Sequence, residues 1–231
     1  AGWSDQTMLL DRRDTLLQQI ATQVGISTSY GPDQSVTVRI GGNSGPVLVT
    51  AGTTQPFAMT TAADGTIGFT LAGGAVTLGS GKLAGQAQGL VGVRDSKAEL
   101  DGIANSLITA ANAAQAGGVA LDGSAGQPLF AGSGAGGITL ALSSGAGLAT
   151  APAGAGAGSR DPANLVALRN ALDGAGVTDR IDSLMFGAAS ATSARRTTAD
   201  ALDSIAGAAR LALAEQAGVS LDDEAANLVR F

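Results

Sequence analysis

Cysteine and histidine are both missing from this chain. Without cysteine there is no disulfide and no thiolate nucleophile. Without histidine the commonest metal ligand and the usual base of Ser-His and Cys-His pairs are gone as well. Aromatic residues are scarce, at 3% of the total, while hydrophobic residues make up 45%, so alanine, leucine, valine and isoleucine must supply almost all of the packing. Basic residues are outnumbered, 13 Lys and Arg against 19 Asp and Glu. Only Arg12-Arg13 and Arg195-Arg196 stand side by side, a distribution that excludes nucleic acid as a partner because neutralising phosphates needs clustered cations. No apolar run approaches the roughly 20 residues that span a bilayer, and no signal-peptide pattern opens the chain.

What the sequence does contain is 35 glycines and a hydrophobic period that switches repeatedly. From Ser4 to Val24 the apolar residues Leu9, Leu16 (or Leu17), Ile20 and Val24 recur at helical spacing, and Gly25 is suited to ending a helix there. Asp11, Arg12, Arg13 and Asp14 fall between them and read as a solvated face with weak local ion pairs, or as the polar rim of a seam with a partner helix. Alternation then takes over at Val36, Val38 and Ile40, at Val47 and Val49, at Ile67, Phe69 and Leu71, and at Val76 and Leu78. Turn signals separate these runs at 41–45, 63–65 and 73–74. Helical period returns from Leu90 to Gln115, with Val93, Leu100, Leu107 and Ala114 spaced by sevens and Ile103 and Ala110 between them.

Residues 117–159 are rich in Gly, Ala and Ser. Ile138 to Leu142 is their one strand signal, and 143–158 reads as a mobile stretch. Asp161-Pro162 opens a short helix through Leu165, Leu168 and Leu172, which Gly174 and Gly176 end. Thr178 to Gln216 reads as one long helix of roughly 60 Å, with Ile181, Leu184, Ala188, Ala191, Leu202, Ile205, Ala209 and Leu213 as seam positions. After Gly218, Ser220 can cap a further helix that places Leu221, Ala225 and Leu228 on one face. These patterns predict an α+β fold: a discontinuous helical bundle of long helices (1–25, 83–116 and 160–231), a small antiparallel β domain (26–82) and a Gly-rich β-hairpin-like insertion (117–159).

No chemistry-bearing motif survives inspection. Gly154 to Gly158 lacks the Lys-Ser/Thr of a phosphate loop, and Ser80-Gly81-Lys82 lacks the upstream glycine; both read as linker or turn. Asp222, Asp223 and Glu224 favour a helix start through its dipole and do not form a cation site. Asp64 and Asp122 precede glycines and read as turn formers. Ser190, Ser193 and Ser204 have no activating base, and a serine-lysine pair would have to recruit Lys82 or Lys97 without any local signature. Trp3 and Tyr30 read as packing residues. The sequence therefore predicts no catalytic, cofactor-binding or metal residue. Its candidate functional positions are those offered for helix packing or subunit contact, namely Leu9, Leu16, Ile20, Val93, Leu100, Leu107, Leu202, Ile205, Leu221 and Leu228.

Leu9 to Leu16, Val24 to Ile26, Ser80 to Gly85, Val93 to Asp95, Leu100 to Asn112, Gly118 to Gly123 and Gly218 to Leu228 resemble, in that order, segments of the hook-associated proteins of the bacterial flagellum, and among them the first of these, the hook-filament junction proteins. Leu9-Leu10-Asp11-Arg12-Arg13-Asp14-Thr15-Leu16 is similar to the family's Leu-Leu-Asp-x-Arg-Asp-x-Leu, and Val24-Gly25-Ile26 to the step that follows it. Ser80 to Gly85 and Val93-Arg94-Asp95 are similar to its Ser-Gly-x-Leu-x-Gly and Arg-Asp segments. Gly118 to Gly123 resembles its Gly-x-Asp-Leu-Asn-Gly turn with Asp122 at the Asn position. Gly218 to Leu228 resembles the terminal signature, with Ala225 where Met is frequent. The resemblance implies a core fragment lacking both terminal helices of a structural, non-enzymatic protein without cofactor. It implies export by the flagellar type III apparatus and a place outside the cell at the hook-filament junction, serving motility. Assembly would run through a terminal coiled coil, with other copies of itself, the hook protein, the second junction protein and an export chaperone as partners, and neither nucleic acid nor membrane. Alternatives are another axial protein (flagellin, hook protein or second junction protein), a secreted adhesin or phage-tail-like binding module, or a polysaccharide hydrolase, which would need paired carboxylates across a groove.

Overall fold

A computed structural model describes residues 3–217. The fold is α+β, as the switching period predicts, and divides into two compact units, Ala1–Gly102 and Ile103–Phe231.

In the first unit, helix α1 (Trp3–Gln23) leads into strands β1 (Ile26–Tyr30), β2 (Val36–Ile40), β3 (Val47–Thr50) and β4 (Thr53–Thr54), which form an antiparallel sheet in that order. Strands β5 (Phe57–Thr61), β6 (Ile67–Leu71) and β7 (Gly74–Val76) make a second, three-stranded antiparallel sheet, after which helix α2 (Lys82–Ala116) begins. Alternation in sequence marks β2, β3, β6 and β7. The three strands it leaves out, β1, β4 and β5, are rich in Ser and Thr and have largely exposed side chains, so they carry no apolar rhythm. Two of the hairpins have two-residue loops, Ala51-Gly52 and Ala72-Gly73, in which both residues take positive φ. That geometry matches strand twist but strains an alanine.

The core is small. Val24, Ile40 and Leu71 are buried, with Ile26, Leu48, Phe57, Val76, Leu78 and Leu83 packed around them, and the Phe57 and Phe69 rings stack at 5.7 Å. One end of α1, both sheets and the start of α2 thus share one apolar centre. Gly25 does not end α1 through a left-handed turn. It lies where the chain leaves the helix and where it returns: its N–H donates to Ser80 O at 3.0 Å, and its O accepts from Gly41 N at 2.7 Å. A methyl group on Gly25 would meet the Ser80 hydroxyl.

The second unit holds the rest of α2, strands β8 (Gly118–Val119), β9 (Phe130–Ala131), β10 (Thr139–Leu140) and β11 (Ala151–Pro152), and helices α3 (Ala163–Gly174) and α4 (Val177–Ala217). β8 pairs with β11 and β9 with β10, both antiparallel. The strand read at 138–142 is only two residues long. The expectation of mobility at 143–158 is corrected: a 3₁₀ turn at Gly145–Gly147 is capped by the Ser144 hydroxyl, and β11 is tied to β8.

Side-chain amides hold this insertion where apolar bulk is lacking. Asn112 Oδ1 accepts from Leu129 N and Phe130 N at 2.8 and 3.0 Å, and its Nδ2 donates to Phe130 O at 2.8 Å. Gln115, fully buried, accepts from Ala149 N at 2.9 Å. Asn164, 5% exposed at the first turn of α3, donates to Ala114 O and Ala149 O at 3.1 and 2.8 Å. Asn105 accepts from Gly134 N. Each amide offers a donor and an acceptor in one plane and so stands in for a strand edge.

Candidate functional site

Among the described residues no group of three or more His, Cys, Asp or Glu could hold a metal ion, and no helix is long and apolar enough to cross a membrane. What stands out are surfaces.

Leu9 and Leu16 on α1, Val93 and Leu100 on α2, and Leu202 and Ile205 on α4 are all exposed. Ile20 and Leu107 are half-buried. Leu221 and Leu228 lie outside the described residues. The α2 side chains that are buried are Ile103, Ala104, Ala111 and Gln115, so the spacing of sevens runs beside the buried face, outward at Val93 and Leu100 and half-buried at Leu107 and Ala114. Helix α4 is outward along most of its length: Leu202 and Ile205 are 59% and 65% exposed, and Phe186, which the periodicity did not single out, is 76% exposed. A helix of 41 residues with so much free apolar surface is not held by packing within the described residues.

A cleft of about 390 Å³ opens beside Leu16 and Ile20, lined also by Gln19, Gln23, Ile40, Leu48 and Phe57. Its wall is almost wholly apolar, with no charged group, and nothing in it could activate a nucleophile or exchange a proton at neutral pH.

The charged residues do structural work. Arg13, read from sequence as part of a solvated face, is a clamp: its guanidinium donates to Asp14 Oδ1 at 2.8 Å and to Gln34 O at 3.0 Å, and lies 4.9 Å from the centre of the Tyr30 ring. Arg94 repeats the device. It donates to Asp95 Oδ1 at 2.7 Å and lies 3.5 Å from Asp64 Oδ2. In each case an Arg-Asp pair on a helix reaches the tip of a β-hairpin, Asp33-Gln34 for α1 and Asp64-Gly65 for α2. The neighbouring aspartate aims the guanidinium, and the hairpin supplies the second acceptor.

The tips are built alike. Asp33, Asp64 and Asp122 each accept from the backbone N–H two residues on, at 3.1, 3.0 and 2.9 Å. The hydroxyls of Ser35, Thr66 and Ser124, followed by those N–H groups, hold the three carboxyls below their ordinary range, and Arg94 adds to the effect at Asp64. All three are turn formers.

Local signals for the two clamps are weak because each depends on a partner far along the chain, 21 residues away for Arg13 and Gln34 and 30 for Arg94 and Asp64. An Arg-Asp pair on a helix is common, and only the fold says which hairpin it touches. The segments singled out by resemblance nevertheless meet in space: Val24-Gly25-Ile26 lies against Ser80-Gly81, and both Arg-Asp pairs serve the same β unit.

A search among curated proteins returned no match. A family model described as the flagellar hook-associated protein FlgK helical domain matches residues 1–130, which takes in α1, both sheets of the first unit, all of α2 and the start of the Gly-rich insertion. With more than half of its 231 residues covered, and with its Arg-Asp clamps and Gly25–Ser80 crossing inside the matched region, the chain belongs to the flagellar hook-associated protein family, structural proteins of the bacterial flagellum.

Proposed function

We propose that this protein is the first hook-associated protein, which joins the hook to the filament by axial self-assembly. In this reading the helical segments 1–25, 83–116 and 160–231 form one bundle in the assembled state. The β unit 26–82 and the insertion 117–159 are carried outside it. Export through the type III apparatus, with a chaperone, precedes assembly outside the cell, where the chain contacts further copies of itself, the hook protein and the second junction protein. A chain without cysteine suits such export, since no disulfide has to be undone before passage.

One observation carries the proposal: the outward apolar residues of the helices, Leu9, Leu16, Val93, Leu100, Leu202 and Ile205. An isolated helix gains nothing from such a stripe, whereas a helix that finishes folding against neighbours gains roughly 1.5–3 kcal/mol for each large side chain it buries. The test is genetic. In cells deprived of their own junction protein, the full-length gene restores attached filaments, and the double substitution Leu202→Asp and Ile205→Asp leaves the protein exported but the filament protein free in the medium. Attached filaments and normal swimming with the double variant would overturn the proposal. Circular dichroism of the purified variant shows whether the helix itself is intact.

A further inference from the structure

The three-stranded sheet of the first unit ends on β5, and that edge is open. Its register with β6 pairs Ala58 with Thr70 and Thr60 with Gly68, flanked by hydrogen bonds from Ala72 N to Pro56 O and from Ala62 N to Thr66 O. Even-numbered residues of β5 therefore bond to β6. The N–H and C=O of Phe57, Met59 and Thr61 point the other way, and among the described residues no hydrogen bond takes them up.

Edges of this kind are usually blunted by charge, proline or a bulge. Here nothing blunts it. Residues 40–63 contain no charged side chain, the β5–β6 register runs without a shift, and Pro56 precedes the strand. The other edge of the sheet, β7, is three residues long. Met59 adds an apolar signal. It stands across from the buried Phe69, on the sheet's inner face, yet is 59% exposed.

We propose that β5 is a self-recognition strand, which pairs antiparallel with β5 of a second copy about a two-fold axis at Met59. That register sets Met59 against Met59 of the second copy and Phe57 against its Thr61. Every outward N–H and C=O of the three residues is then matched, and two three-stranded sheets become one of six. The absence of charge on β5 selects this occupant: two identical strands brought together meet no like-charge repulsion, and the pairing gives an acidic or basic partner strand nothing to recognise. Each Met59 is covered by its counterpart beside Phe69. The interface is isologous and closes at two copies. Because a five-residue strand pair falls at the small end of specific interfaces, below about 1,200 Å², it forms at high local concentration. The proposal does not depend on the junction reading above.

The chain's lack of cysteine makes the register directly testable. Opposed residues in a hydrogen-bonded antiparallel pair have Cα atoms about 5.5 Å apart, within disulfide range. Met59→Cys should therefore give a covalent dimer in oxidised glutathione, while Thr61→Cys should not, its counterpart lying four residues along the partner strand. Sedimentation of the unmodified chain up to about 1 mM should show a monomer-dimer equilibrium. Met59→Lys should weaken it by at least about tenfold. Met59→Pro removes only an outward N–H and keeps the β6 ladder, so it should do the same with the fold retained by circular dichroism. A chain monomeric throughout, equal crosslinking at 59 and 61, or a dimer indifferent to Met59→Lys would each overturn the proposal. In the first case the edge is left to a strand of another protein or to none; in the last the dimer uses another surface.

Discussion

Gly25 and Gly81 show how much a single missing Cβ can hold in place. Gly81 has a φ of +91°, and a Cβ there would stand 2.6 Å from Gln23 O and 2.8 Å from Val24 Cα, both backbone atoms that cannot rotate aside. Gly81→Ala therefore combines left-handed strain with a clash at the point where the chain re-enters the helices. It should destabilise the first unit by about 2–4 kcal/mol, read as a fall in its unfolding midpoint in urea. A change below 0.5 kcal/mol would mean that the crossing can slide. Asp64 gives a different residue-scale test. Its folded pKa is lowered, chiefly by the Thr66 hydroxyl, so its contribution is present above the ordinary carboxylate value of about 4 and is lost as pH falls through the folded value. Thermal midpoints between pH 2 and 6 should therefore drop on acidification, and Asp64→Asn should flatten that slope. An unchanged slope would assign the acid sensitivity to other carboxylates.

At the scale of elements, legibility in the sequence followed apolar periodicity, whether or not the face it marks is covered. Strands β2, β3, β6 and β7 alternate over a face that is buried or half-buried, while α1, α3 and α4 read from their helical period although most of the apolar positions of α1 and α4 stay exposed. α2 was legible as a helix from Leu90 onward, but in its first turns, Lys82 to Gly89, the half-buried side chains are only Leu83, Ala84 and Ala87, set among glycines and glutamines and too few to show a period. β1 and β5 each bring one large residue to the core, Ile26 and Phe57, too few to set up an apolar rhythm. The candidate contact positions were legible as apolar seam residues but not as exposed ones, because the periodicity of Leu202 and Ile205 says that a face exists and not what covers it. Hidden altogether were the amides. Asn105, Asn112 and Gln115 fall on one side of α2, yet an asparagine in a helix ordinarily reads as a neutral or mildly unfavourable choice. Here Asn112 serves three backbone groups of the Leu129-Phe130 segment. Asn112→Ala should leave α2 helical and release the β9–β10 pair, seen as at least about tenfold faster amide exchange at Leu129 and Phe130. Unaltered protection at those two amides would show that the strand pair holds by itself.

For the molecule as a whole, the two units rest on different physics. The first is centred on apolar side chains drawn from a helix end and two sheets. The second is held by buried amides and small residues, with Gln115, Asn164, Ala111, Ala120, Ala149 and Ala151 at its centre. Helix α2 belongs to both, the division falling between Gly102 and Ile103, and glycine in a helix interior costs about 1 kcal/mol relative to alanine. A continuous helix can transmit unfolding from one unit to the other only if its hydrogen bonds stay cooperative through that glycine. Two cores of unlike composition joined there should instead melt as two transitions, with a calorimetric enthalpy exceeding the van't Hoff value. Substitutions assign them. Gly81→Ala should lower one transition and leave the other in place. Asn164→Ala, which leaves the buried carbonyl of Ala149 without its donor and takes from Ala114 O one of its two donors, the other being Gly117 N, should lower the second by about 1–3 kcal/mol and leave the first. Replacing Gly102 by alanine should draw the two transitions together, since the stiffened helix couples them. One transition moved equally by all three substitutions would mean that the chain unfolds as a single cooperative body, with α2 as its spine.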